Sequence, residues 1–201
     1  MIVFHLFYDL NYFKFIKIDL KCFFWWIQPK IIVSMFLIAS GMSIQLLHGK
    51  GIKWNKVIKR FFKLSSLALI ITIITYNIFP SNWIFFGVIH NVALSSVVSL
   101  FFINKPRLAL FTAISFLLMY GFGLEYYLIN FPMKSVDHVP FFPWFNCFLI
   151  GIYLAHKKVH LLELKSIPLI EYLGRYSLQI YFIHQGVLFS LIFGLHKVFH
   201  T

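Results

Sequence analysis

Residues 31–47 read IIVSMFLIASGMSIQLL, seventeen residues without a single charge. Wound as a helix at ~1.5 Å per residue, such a stretch reaches ~26 Å, close to the ~30 Å hydrocarbon core of a bilayer. It is not alone. Working outward, comparable apolar runs cover Ile2 to Ile16, Phe61 to Phe79, Ile84 to Ile103, Leu108 to Ile129, Pro140 to Ala155 and Leu178 to Phe199. In hydrocarbon every backbone polar group must pair within the protein, which leaves helices or closed barrels. Barrel strands alternate over ~10 residues, whereas these runs are continuous and longer. The expectation is an all-α, polytopic transmembrane helix bundle of about seven spans with a short first helix, forming one domain over residues 1–201.

Composition agrees. The 201 residues are 60% hydrophobic and 20% aromatic, with 26 Phe, and only 12% are charged. Ordinary soluble domains carry about 25% charged residues. A mean hydropathy of +0.83 excludes a disordered chain and argues against a soluble globular one. The formal net charge of +12 would suggest nucleic acid in a soluble protein. Here the cations lie between apolar runs, as charges that orient a membrane protein do, and no nucleic-acid partner is expected. Cys22 and Cys147 have neither metal-ligand nor redox spacing, and no metal is expected.

Alternate loops differ in basic residues. One side carries twelve Lys and Arg, among them Lys50 to Lys63, Lys105, Arg107, Lys157, Lys158, Lys165 and Arg175, against six on the other. The richer side reads as cytoplasmic, which puts the N-terminus inside, although the cluster Lys14 to Lys30 opposes this. Helical spans favour a bacterial inner membrane over an outer one. Membrane lipid is then an obligatory partner, and homo-oligomerisation stays open.

Ionisable groups inside spans are costly and mark function by default. His5, Asp9, His90 and His184 stand out, with Glu125 near the end of the fifth run. Counting at ~1.5 Å per residue puts His5 and His90 roughly 9 to 12 Å below one edge of their runs, with His184 near the middle of the last. The spacing of His5 and Asp9 places them on one helix face. A carboxylate there could hold one imidazole nitrogen and free the other as a base, the arrangement that acyl transfer uses. A buried His–Asp pair that merely satisfies itself, or joins helices, explains the same spacing. His90, preceded by Gly87, could equally bond across helices. Arg175 could snorkel to headgroups or hold a phosphate. The basic stretch Lys50 to Lys63 is a topology signal that could also meet a nucleotide-like donor.

Five segments taken together resemble one family. They are His5 to Phe13 (HLFYDLNYF), Phe36 to Leu47 (FLIASGMSIQLL), Phe85 to Leu94 (FFGVIHNVAL), Val139 to Gly151 (VPFFPWFNCFLIG) and Leu173 to Gln185 (LGRYSLQIYFIHQ). In order and spacing they resemble bacterial membrane proteins grouped with the catalytic domain of heparan-alpha-glucosaminide N-acetyltransferase. The resemblance implies a polytopic acyltransferase that takes acetyl from acetyl-CoA on the cytosolic side and delivers it to an amino sugar or similar cell-envelope glycan. It also implies a central histidine, for which His5, His90 and His184 are the candidates, with Asp9 beside His5. Donor contacts would come from Lys56, Arg60 and Arg175. Acceptor contacts would come from Asn11, Asn82, Asn91, Asp137, His138, Trp144 and Gln185. Members usually show an Asp and an Arg-Gly pair just before the first span, whereas this sequence opens Met1-Ile2-Val3-Phe4-His5. A truncated, inactive member is therefore one alternative. A proton-coupled permease for a small solute, with the intramembrane His and Asp as a relay, is the other.

Overall fold

The computed structural model describes residues 1–19, 22–123, 135, 137–158 and 167–199. Among these every regular element is helical: α1 (Ile2–Tyr12), α2 (Phe23–His48), α3 (Trp54–Ile78), α4 (Val88–Val98) with the 3₁₀ turn Ser99–Phe102, α5 (Pro106–Gly121), α6 (Phe141–His156), α7 (Pro168–Arg175) and α8 (Ser177–Phe199). They divide into two compact units, residues 1–32 with 163–201 and residues 33–162, and the division falls inside α2.

Two described helices are long and apolar enough to cross a membrane, Phe23–His48 and Ser177–Val198. The described residues thus do not confirm seven spans, since an apolar run need not be one helix. Ile84 to Ile103 reads as one span, yet its helix begins only at Val88. Ile84 is held outside any helix by side chains: its N–H donates to Thr75 Oγ1 at 3.0 Å, and its carbonyl accepts from Thr72 Oγ1 at 2.8 Å. Threonine hydroxyls thereby satisfy backbone groups that would otherwise demand helix in an apolar setting. The run from Leu108 is cut short as a helix at Gly121, and Glu125 lies outside the described residues. In the run from Pro140, Phe142 is non-helical (φ −96°, ψ 131°) ahead of Pro143.

In the first unit α1 packs on α8. The seam is aromatic: Phe13 meets Phe189 and Phe193 at ring-centroid distances of 5.3 and 6.0 Å. Phe4 and Phe7 of α1 also each sit 5.8 Å from Trp25 at the start of α2. In the second unit α5 packs along α6 and α3 along α4. Its core holds Leu37, Ile44, Phe145, Phe148, Leu149 and Ile152, with the small Ala109 and Ala113 where α5 meets α6. Outside the core the surface is greasy: Phe111 and Phe122 are 71% and 76% exposed, a surface suited to lipid and prone to aggregation in water.

One crossing is closer than side chains allow. A Cβ on Gly41 would run into the Phe148 carbonyl oxygen, and a Cβ on Gly151 into the Ile38 carbonyl oxygen. The two glycines answer one another across α2 and α6, letting backbone touch backbone as small residues do between membrane helices. The obstacle in each case is main chain, which cannot swing aside. Gly41→Ala and Gly151→Ala are therefore each expected to destabilise by about 1–3 kcal/mol or more. In detergent micelles both should lower the thermal unfolding midpoint by several degrees. Gly194→Ala, whose Cβ would meet nothing within 4 Å, should not lower it.

Candidate functional site

α1 and α8 bring three of the candidate groups together in the first unit. His184 is buried, 8% exposed, in the second turn of α8. Its Nδ1 lies 3.0 Å from the Ile180 carbonyl oxygen and 2.7 Å from that of Tyr181. A carbonyl only accepts, so Nδ1 carries the proton and the lone pair of the neutral ring sits on Nε2. That Nε2 is buried and has no hydrogen-bond partner among the described residues. The His5 ring meets His184 edge-on, centroid to centroid 4.9 Å. Two imidazoles, one with its tautomer set by backbone, thus lie in contact.

Asp9 is 2% exposed, and its carboxylate takes a different partner from the one the His5–Asp9 spacing suggests. Both oxygens accept from the Gln185 amide, at 3.2 and 3.3 Å. The described bonds of Asp9 therefore run across to α8 and not along α1 to His5. Tertiary packing presents an amide donor that the local i, i+4 geometry cannot foresee. It also changes the reading of Gln185, which is an acceptor-sugar contact in the sequence analysis but the carboxylate's partner in the structure. Its Oε1 is buried and has no hydrogen-bond partner among the described residues. A buried lone pair on His184, a second imidazole and a hydrogen-bonded carboxylate form a set that can take up and pass on a proton or an acyl group.

His90 belongs to the second unit and is spent. Its Nδ1 accepts the Gly87 N–H at 3.3 Å, at the start of α4. Its Nε2 lies 3.1 Å from Thr72 Oγ1. Because the Thr72 hydroxyl proton already points to Ile84 O, that oxygen can only accept, and His90 Nε2 donates to it. With both nitrogens engaged, His90 has no free lone pair in this arrangement. Asn91 is engaged likewise. Fully buried, it donates to the carbonyls of Val139 (3.3 Å) and Pro140 (3.0 Å) and accepts from Ser95 Oγ (2.9 Å), so it ties the segment before α6 to α4.

The remaining candidates scatter. Asp137 stands against Gly87, where an added Cβ would lie 3.1 Å from its Oδ2. His138 is exposed and rests on Phe85, with ring centroids 5.1 Å apart. Trp144 is half-buried in α6, and Asn82 is exposed in the turn after α3. In the first unit Asn11 Oδ1 accepts the Ile18 N–H at 2.8 Å beside an open groove of about 460 Å³ lined also by Lys14, Lys17 and Asp19. Of the proposed donor contacts, Lys56 and Arg175 are exposed. Arg60 turns inward, with Nε 3.3 Å from Ser96 Oγ and Nη1 3.5 Å from Ser43 Oγ. Burial pulls its guanidinium below the usual arginine value, though arginine keeps its charge. Sequence reasoning passed over Thr72, whose hydroxyl occupies His90; a threonine inside an apolar run gave too common a signal. Among the described residues no group of three or more His, Cys, Asp or Glu could hold a metal ion.

The pairing of Asp9 with Gln185 can be tested by a double-mutant cycle. Gln185→Leu strands a buried carboxylate and is expected to cost about 1.5–3 kcal/mol. Asp9→Asn removes the charge that needs the amide. The double variant should lose less than the two single losses added, in denaturant unfolding in micelles.

Comparison with known families finds one that covers almost the whole chain: residues 1–186 match the family described as heparan-alpha-glucosaminide N-acetyltransferase, catalytic. All the candidate residues lie inside that match. No curated protein and no solved structure matches the chain.

Proposed function

The chain belongs to the heparan-alpha-glucosaminide N-acetyltransferase catalytic family, and on that premise we propose that it is a membrane-embedded acyltransferase moving acetyl from acetyl-CoA to the amine of an amino sugar or cell-envelope glycan. The family suggests an acetyltransferase-like membrane enzyme, and two apolar helices accord with a membrane location. The donor, the acceptor class and the residue roles that follow are our reading.

The single observation that carries it is the state of His184. Its Nδ1 proton is committed to the Ile180 and Tyr181 carbonyls, and its Nε2 lone pair is buried with no partner among the described residues. A lone pair kept dry and aimed by backbone suits a general base or a transient acyl carrier. In this scheme the amine attacks the acetyl carbonyl and loses a proton to the imidazole, and the departing thiolate takes one up. His5, in edge contact, stabilises the charge that develops on His184. Asp9, held by Gln185, supplies the compensating negative charge. The His5–Asp9 spacing suggests His5 as a base held by Asp9; the bonds of Asp9 to Gln185 favour His184 instead.

The donor's phosphates would meet the basic first turn of α3, which carries Lys56, on the cytoplasmic face of an inner membrane, with the N-terminus inside. Asn82, Asp137, His138 and Trp144 are the acceptor contacts this reading keeps. Oligomeric state does not enter it.

The assay is transfer of labelled acetyl from acetyl-CoA to glucosamine in proteoliposomes. His184→Ala should lower turnover at least a hundredfold, the scale of a lost general base. His90→Ala should lower the thermal midpoint but leave the turnover of the folded fraction within a few-fold of wild type. Normal turnover in both His5→Ala and His184→Ala would end the histidine scheme. Solute uptake in vesicles with no acyl donor would point to a permease.

A further inference from the structure

The second unit contains a polar cleft beside the basic segment to which the acyl-transfer scheme gives the donor's phosphates. It lies where the C-terminal end of α2 meets the loop to α3 and the turn before α5. His48, the last residue of α2, is fully buried. Its Nδ1 accepts the Lys53 N–H at 3.1 Å. A neutral imidazole that accepts at one nitrogen carries its proton on the other, so Nε2 is a donor. This Nε2 is buried and has no hydrogen-bond partner among the described residues. A buried donor left unmet is unfavourable.

The cleft beside it measures about 360 Å³ and is open on one side. Its lining includes His48, Gly51, Ile52, Phe101, Asn104 and Lys105, and none of its lining residues is acidic. Its shape is held by a reciprocal amide pair. Gln45 Nε2 donates to Asn104 Oδ1 at 2.9 Å, the Asn104 N–H returns to Gln45 Oε1 at 3.2 Å, and Asn104 Nδ2 donates to the Gly49 carbonyl at 2.8 Å. Asn104 adopts φ +59°, a left-handed conformation that asparagine tolerates better than most residues. Arg60, Lys53 and Lys56 all lie close enough to act electrostatically on His48. The Lys105 ammonium stands 4.2 Å from the Phe101 ring centroid at the rim.

One oriented N–H, several cations and no carboxylate call for a compact anion with more than one acceptor oxygen. We propose that this cleft binds a phosphate group, with His48 Nε2–H donating to one phosphate oxygen and Lys105 balancing the charge. The phosphate could be the headgroup of an anionic lipid or belong to a soluble ligand such as the nucleotide end of an acyl donor; the recognising chemistry is shared. The nucleotide source rests on the acyl-transfer reading, and the lipid source does not.

The test uses the full chain in dodecyl maltoside, which contains no phosphate. One arm titrates adenosine 3′,5′-bisphosphate by calorimetry, and the other adds phosphatidylglycerol and reads bound lipid by native mass spectrometry. His48→Asn keeps an acceptor for the Lys53 N–H but has nothing at the Nε2 position; Lys105→Gln removes only the rim charge. Wild type should bind at least one probe, and each folded variant should bind it about tenfold more weakly or worse, the loss expected for one charge-assisted hydrogen bond. Binding of the bisphosphate identifies a soluble source, and binding of the lipid a headgroup. No binding of either probe to wild type overturns the proposal, as does unchanged binding in either folded variant. If His48→Asn does not fold, Lys105→Gln decides. Acetyl transfer measured on the same preparations is a separate readout, so its failure with phosphate binding intact counts against the acyltransferase scheme alone.

Discussion

A polar group that leaves water must find a partner or bear a cost of roughly 1–3 kcal/mol, more if it is charged. In a chain this apolar that constraint sorts the polar residues into two kinds. His90, Asn91 and Arg60 have their polar atoms engaged by neighbours, and each holds one element to another. Among the described residues, His184 Nε2, Gln185 Oε1 and His48 Nε2 are buried and unmet, together with Gln28 Oε1 and Ser135 Oγ. The spent groups build the scaffold. The unspent histidine nitrogens, each with its tautomer set by a hydrogen bond at Nδ1, are where a ligand would recover the lost bond.

The same constraint shapes the backbone. Thr72 and Thr75 satisfy Ile84 so that the chain can leave helix within an apolar run and re-enter it at Val88. That short non-helical stretch puts the Gly87 N–H within reach of His90 Nδ1 and brings Phe86 O to the Val139 N–H at 3.1 Å. Asn91 completes the join by binding the carbonyls of Val139 and Pro140. At the α2–α6 crossing the economy is one of space: Gly41 and Gly151 omit the atoms that would keep two backbones apart.

Much of this was legible in the residues. The 17-residue uncharged run, the motif order and the family were readable, because helix, lipid contact and motif spacing are local properties. Six Asp and Glu in 201 residues made Asp9 conspicuous, and histidines in greasy runs are few enough to single out. The length of each helix was less legible. Hydropathy reports which residues avoid water, not which backbone groups pair along the chain, and so of seven runs only two lie in described helices both long and apolar enough to cross a membrane.

By itself, then, the sequence determined an all-helical apolar protein of an acetyltransferase family and the short roster of imidazoles and carboxylates from which a site can be drawn. Only the tertiary structure decided which of them are free. The partner of Asp9 is Gln185, 176 positions away, and the partner of His90 is Thr72 on another helix. A hydrogen bond depends on the rotation of each helix about its axis and on who stands opposite. Spacing along one chain segment fixes neither.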